Sequence, residues 1–236
     1  MTLALALVLG SLIGVSLGLI GGGGSILAVP VLAYVAGVEP HQAITMSLLI
    51  VGASALTGSL SHHGDGNLDV RTALLFGAAG FPGAWLGSAL SKSMKGEFLL
   101  LLFGALMLVV GGLMLQRAFS KKNGEQPQRR NTLLLLGAGA AVGWLTGFLG
   151  IGGGFVITPA LFFVAGLPMR RAVGTSLLVI ALNAGVVFVR HLMAGPIPWG
   201  LTLAFTAVAC GGSLIGKRFS KSVSQQNLQR LFGVFV

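Results

Sequence analysis

Gly18-Leu19-Ile20-Gly21-Gly22-Gly23-Gly24-Ser25 decides how this chain is read, because it returns as Gly147-Phe148-Leu149-Gly150-Ile151-Gly152-Gly153-Gly154. The offset is 129 residues, from Gly18 to Gly147, and it holds without a gap well beyond the glycines. It carries Pro30 onto Pro159, Gly37 onto Gly166, Ser47-Leu48-Leu49 onto Ser176-Leu177-Leu178 and His62 onto His191. Gly83 and Gly87 fall on Gly212 and Gly216, and Ser91-Lys92-Ser93 on Ser220-Lys221-Ser222. Roughly thirty positions are identical over about a hundred aligned ones, too many for shared apolar composition alone. The chain reads as one unit made twice, 1–116 and 132–236, joined by a linker at 117–131.

Of the 236 residues, 54% are hydrophobic and only 8% are charged. A soluble globular domain averages about 25% charged residues. Several apolar runs approach the roughly 20 residues needed to cross a bilayer, and they are continuous rather than alternating. Composition therefore predicts an all-α, polytopic transmembrane helical bundle and argues against a β-barrel. The net charge of +10 does not indicate nucleic-acid binding. Arg117, Lys121, Lys122, Arg129 and Arg130 gather in one polar loop, and most other basic residues sit at the ends of apolar runs. That is the positive-inside bias, and it marks the linker as cytoplasmic and mobile. The first twenty residues lack a basic leader, and Gly10, Gly14 and Gly18 recur as Gly139, Gly143 and Gly147. That segment is expected to belong to the fold rather than to a cleaved signal.

Apolar runs are read at about 3–20, 25–36, 42–62, 70–91 and 98–116, then 132–149, 154–166, 170–192, 198–219 and 226–236. The second run of each unit holds about a dozen residues, too short to span at about 1.5 Å per residue. Each follows a glycine run and contains a proline, Pro30 or Pro159. The pairs are read as glycine-broken or re-entrant elements. Loop charge bears on orientation: the loop with Glu39 and His41 carries −1, and its copy with Arg170 and Arg171 carries +2. The Lys92, Lys95 and Glu97 loop carries +1, against +3 for Lys217, Arg218 and Lys221. The more basic second copy favours an inverted repeat. One broken helix over 3–36 would make the copies parallel instead.

A broken helix in a bilayer exposes N–H and C=O groups that lipid cannot satisfy, so it survives only within protein or beside a wet cavity. The first N–H groups of each half-helix favour an anion, as do consecutive glycines in nest conformations. Gly21, Gly22, Gly23, Gly24 and Ser25, with Gly150, Gly152, Gly153 and Gly154, are therefore candidate anion-binding positions; the competing explanation is close helix packing. Gly10, Gly14 and Gly18, like Gly83 with Gly87, stand four apart and are read as packing glycines.

At 100° per residue, Ser47, Ser54, Gly58 and His62 share one face of the third run. Ser176, Asn183 and His191 share the matching face of its copy, and Thr45 and Thr175 lie near the start. Ser47, Thr175, Ser176 and Asn183 are candidate hydrogen-bond donors to an oxyanion. Alternatively, such hydroxyls bond back to their own helix. His62 and His191 titrate in the right range for proton carriers, but both adjoin polar turns and are expected at the interface. The five acids, Glu39, Asp65, Asp69, Glu97 and Glu125, all lie outside the apolar runs, unlike the carboxylates of cation carriers. No nucleophile–base pair, metal cluster or cofactor motif stands at catalytic spacing.

The glycine motifs with Pro30 and Thr158-Pro159, and the Ala-Val-Gly-Thr-Ser-Leu stretch at 172–177 with its looser copy at 43–48, resemble the sulfite exporter TauE/SafE family. That family is also described as the 4-toluene sulfonate uptake permeases. The resemblance covers essentially the whole chain. It implies a multi-pass inner-membrane transporter of small anions such as sulfite, sulfonates or sulfoacetate, with the glycine motifs at the transport path. Ile151 replaces Gly22 and Gly154 replaces Ser25, so two equivalent half-sites do not follow. The expected partners are a small anionic substrate and the lipid bilayer. A homo-oligomer and a non-transporting scaffold both stay open.

Overall fold

The computed structural model describes residues 2–91, 96–119, 131–149, 154–191 and 197–235. Among them all regular structure is helical: α1 (Thr2–Ile20), α2 (Ser25–Pro30), α3 (Pro40–His63), α4 (Val70–Ser91) and α5 (Gly96–Phe119) come first. Then follow α6 (Thr132–Leu149), α7 (Gly154–Phe163), α8 (Met169–His191), α9 (Trp199–Ser222) and α10 (Gln225–Phe235). A 3₁₀ turn at Gly22–Gly24 leads into α2, and a π turn at Val31–Val35 extends it. Pro30 supplies no backbone N–H, which fits the shift to wider hydrogen bonding just after it. Gly37 and Gly166, a pair at the sequence offset, take φ of 68° and 63° after the two half-helices. That left-handed turn is open to glycine at little cost and reverses the chain there.

Among the described residues, four helices are long and apolar enough to cross a membrane: those over Gln42–His63, Leu101–Phe119, Met169–Val189 and Trp199–Ser222. The distribution of side chains agrees with lipid as the solvent. Trp85, Leu108, Leu133 and Leu203 face outward, while Ser54, Thr158, Ser176 and Ser213 are fully buried. A soluble monomer rarely exposes apolar patches beyond a few hundred Å², so this jacket of leucine and tryptophan belongs in a bilayer.

The tightest packing is made by glycine ladders. On α1, Gly10, Gly14 and Gly18 face Phe205, Ala209 and Ser213 of α9. On α6, Gly139, Gly143 and Gly147 face Phe76, Gly80 and Ala84 of α4. Numbers rise together in both pairs, so the helices of each pair run parallel, and the partners themselves differ by the same 129 positions. Small residues let the backbones approach, replacing the hydrophobic force that lipid does not supply. Between α3 and α8 the register runs the other way: Gly52 faces Ala184, Gly58 faces Leu177, and Gly174 faces His62. These two helices are antiparallel. α10 closes the chain against α5, with Leu228 and Phe232 fully buried.

Arg170, Lys217 and Lys221 gather at one end of the bundle. Arg170 Nη2, in the first turn of α8, donates to the carbonyls of Lys221 at 2.9 Å and Val223 at 2.7 Å. Arg117 stands over the Phe162 ring and Arg230 over Phe119. α5 runs on through Phe119, so the linker expected from 117 begins as helix; 120–130 lie outside the described residues.

Candidate functional site

α1 stops at Ile20 because Gly21 adopts φ 88° and ψ −122°, a conformation that side chains rarely take. Its N–H still donates to the Leu17 carbonyl at 2.8 Å. The next N–H leaves the helix: Gly22 donates to Thr158 Oγ1 at 3.5 Å, across 136 residues of sequence. Thr158 donates in turn to Ser176 Oγ at 2.8 Å, and Ser176 to the Val173 carbonyl at 2.8 Å. Ser25 Oγ closes the first break on itself by donating to the Gly22 carbonyl at 2.7 Å.

The two breaks meet. A Cβ added to Gly22 would fall inside the Gly154 carbonyl, at the start of α7. One added to Gly154 would stand 3.0 Å from Ser25 Oγ. One on Gly21 would stand 2.7 Å from Thr158 Oγ1 and 2.8 Å from Ser176 Oγ. Gly21 to Gly24 and Gly154 to Pro159 are all buried. Packing and polar chemistry therefore act at the same glycines: they let two backbones touch, and they leave N–H groups for hydroxyls to satisfy.

Of the residues singled out by sequence, the structure brings Gly21, Gly22, Ser25, Gly154 and Ser176 together. Gly23 and Gly24 line the same buried turn, Gly24 against Ser16 and the Ile13 carbonyl. Gly150, Gly152 and Gly153 lie outside the described residues. Thr175 Oγ1 accepts the Asp69 N–H at 3.1 Å and pins the α3–α4 turn to α8 instead. Ser47 is buried but donates to its own helix at Ile44. Asn183 is half-buried two turns beyond Ser176 along α8. Sequence reasoning passed over Thr158 as a site residue. Its signal was position: a hydroxyl directly before Pro159, on the short run after a glycine break.

His62 sits in the last turn of α3, beside the polar turn as expected, but it is covered by protein. It is 2% exposed, with Nε2 3.4 Å from the Gly18 carbonyl. Gly174 of α8 packs against its Cβ. The side chain of His191 lies outside the described residues.

At that turn Asp65 pairs with Lys217 at 2.7 Å and Lys221 at 2.8 Å. Hydrogen bonds from both ammonium groups lower its carboxyl from 3.8 to about 2. The folded value lies below the unfolded one, so this contribution is present above the unfolded pKa and is lost as pH falls from about 4 to about 2. Because the pair lies on an exposed turn, with 22% of the Asp65 side chain still open to solvent, solvent and salt screen it and the effect is small. In detergent, the wild-type melting temperature is expected to drop through that window by more than that of Asp65→Asn. Equal drops would show that the pair adds nothing to stability.

A bundle jacketed in apolar side chains, with two interrupted helices touching in its interior, has the build of a membrane transporter. The family model for the sulfite exporter TauE/SafE matches residues 6–236, and the chain belongs to that family. It is 39% identical over 234 residues to a probable membrane transporter protein of Xylella fastidiosa (strain 9a5c), covering 96% of this chain and 89% of that one. It is 28% identical over 252 residues to the probable membrane transporter protein YunE of Bacillus subtilis (strain 168), covering 97% and 92%. YdhB of the same organism, also a probable membrane transporter protein, is 27% identical over 215 residues, covering 89% and 86%. The chain matches no solved structure. Family and relatives alike identify a membrane transporter rather than an enzyme.

Proposed function

We propose that this transporter is a secondary carrier, an exporter of small anions such as sulfite, sulfonates or sulfoacetate, in the inner membrane. The observation that carries the reading is the contact of the two breaks, Gly22 against the Gly154 carbonyl, with the Gly22 N–H held by Thr158. With the breaks touching, no anion fits between them. When they part, the Gly22 N–H, the first amides of α7 and the hydroxyls of Thr158 and Ser176 are released toward one point. Those are donors without a nearby carboxylate, the requirement for a partly dehydrated oxyanion.

Alternating access follows from two inverted copies rocking about the breaks. The antiparallel register of α3 and α8 supports inversion, because these helices correspond at the 129-residue offset. The crossed pairing of α1 with α9 and α4 with α6 follows the same two-fold correspondence. The gathering of Arg170, Lys217 and Lys221 at one end supports a cytoplasmic face there. Export of an anion needs no coupling ion, since an inside-negative potential supplies about 2.3 kcal/mol per charge per 100 mV.

Currents from liposomes of the purified protein on a solid support, challenged with sulfite, sulfoacetate, taurine and sulfate, test this function. A saturable current with one of the sulfur oxyanions is expected. Absence of both current and radiolabel uptake with all four would favour a non-transporting scaffold. Thr158 sharpens the test. Thr158→Val keeps the shape and removes a buried donor, worth about 1–3 kcal/mol when its partners stay unpaired. A loss of roughly 5- to 150-fold in kcat/KM is expected, with Thr158→Ser near wild type; equal loss in both would assign Thr158 to packing.

A further inference from the structure

The anion site leaves one buried ionisable group unused. In an unbroken helix the Gly22 N–H would donate to the Gly18 carbonyl, four residues back. The break parts them, and each finds a side chain: Gly22 goes to Thr158, and the Gly18 carbonyl takes His62 Nε2 at 3.4 Å. A carbonyl only accepts, so Nε2 carries the hydrogen and Nδ1 keeps a bare lone pair. That Nδ1 is buried and has no partner.

Three more buried hydroxyls among the described residues have no partner: Ser59 on α3, and Ser213 and Ser220 on α9. Ser59 stands one turn before His62. Ser213 Oγ lies 2.6 Å from where a Cβ on Gly58 would be, and the Ser213 carbonyl abuts Gly18. Ser220 is two turns further along α9. Buried polar atoms are seldom left unpaired, so water is the partner these four atoms call for. The side chains of Asp65 and Lys217 keep 22% and 14% of their surface exposed. The charged groups facing His62 are Asp65 from the turn and Lys217 and Lys221 from α9. α1 presents only the Gly18 carbonyl, and α8 presents Gly174, which has no side chain. His63, next on α3, is exposed.

We propose that His62 Nδ1 is a proton site coupled to passage of the anion. The lone pair takes a proton from hydronium on one side of the membrane, giving an imidazolium and water, and releases that proton to water on the other side as the carrier turns over. His62 holds one half of the interrupted peptide pair and Thr158 holds the other. A positive charge at Gly18 and an anion at Gly22 therefore favour each other, and by linkage the effect is reciprocal. This rests on the transport reading above.

The test uses liposomes of the full chain with a pH dye in the lumen, labelled sulfoacetate, and the potential clamped with potassium and valinomycin. In the wild type the lumen pH is expected to move in step with sulfoacetate. His62→Gln keeps an amide donor for Gly18 and lacks the basic nitrogen; it should lose the pH movement at least tenfold and flatten the pH profile of flux. Sulfoacetate moving without protons in the wild type, or with them in His62→Gln, overturns the proposal. If the wild type moves no sulfoacetate, the transport reading is what has failed for this probe. The imidazole is then read directly by nitrogen NMR of histidine-labelled protein, assigned by its absence in His62→Gln. Reversible protonation across about pH 5 to 9 supports the site, and a signal that never titrates overturns it.

Discussion

Gly22→Ala is expected to abolish most transport while leaving helical, membrane-inserted protein. Its methyl would occupy the Gly154 carbonyl, and that carbonyl belongs to backbone that cannot swing aside like the tip of a side chain. The breaks must separate or the first must rebuild. Overpacking of this kind costs about 1–3 kcal/mol, so the touching arrangement loses roughly 5- to 150-fold in population. A carrier that must pass through that arrangement slows by a similar factor. The defect is specific: Gly22→Ala should still bind its anion, with the loss falling on turnover. Flux at the wild-type rate would mean that the contact of the breaks plays no part in the cycle.

The second large effect falls on the ladders. Gly14, Gly18, Gly143 and Gly147 all have backbone as the nearest obstacle to a Cβ, at Ala209, Ser213, Gly80 and Ala84. Alanine at any of them should force α1 from α9, or α6 from α4, and cost about 3 kcal/mol or more, the upper end of overpacking. Gly137 and Gly185 are the matched controls, since nothing lies within 4 Å of a Cβ there. Alanine at these two should be neutral or stabilising by up to about 1 kcal/mol, the gain from replacing a helical glycine. Monodispersity in detergent against temperature reads both sets. Equal tolerance at Gly143 and Gly137 would remove the ladder as the force that joins the two units.

The element boundaries were legible because in lipid each run must be continuous and each interruption needs glycine or proline. The run read at 70–91 is α4, and that at 132–149 is α6. The helical face of the third run was equally legible, since Ser47, Ser54 and His62 are all buried. Periodicity fixes a face, however, and not which neighbour covers it at each level. Ser176 bonds back to Val173 and also accepts from Thr158 beside Gly21, whereas Ser47 on the corresponding turn donates to Ile44. His62 looked interfacial beside His63-Gly64-Asp65. It is covered by the Gly18 backbone of α1 and by Gly174 of α8, neighbours that no local pattern announces. Thr158 was hidden for the same reason: its partner Gly22 lies in the other unit.

The contact and parting of the breaks can be tested with one reversible bond. Ser25 Oγ lies 3.0 Å from the Cβ position of Gly154, about the separation of a sulfur and the far Cβ in a disulfide. Ser25→Cys with Gly154→Cys, in a Cys210→Ala background, should cross-link on oxidation. Sulfoacetate current in liposomes is then measured before oxidation, after it, and after reduction. The account predicts that the cross-link stops the current and reduction restores it. A fully cross-linked protein that carries current at the unlinked rate would contradict it.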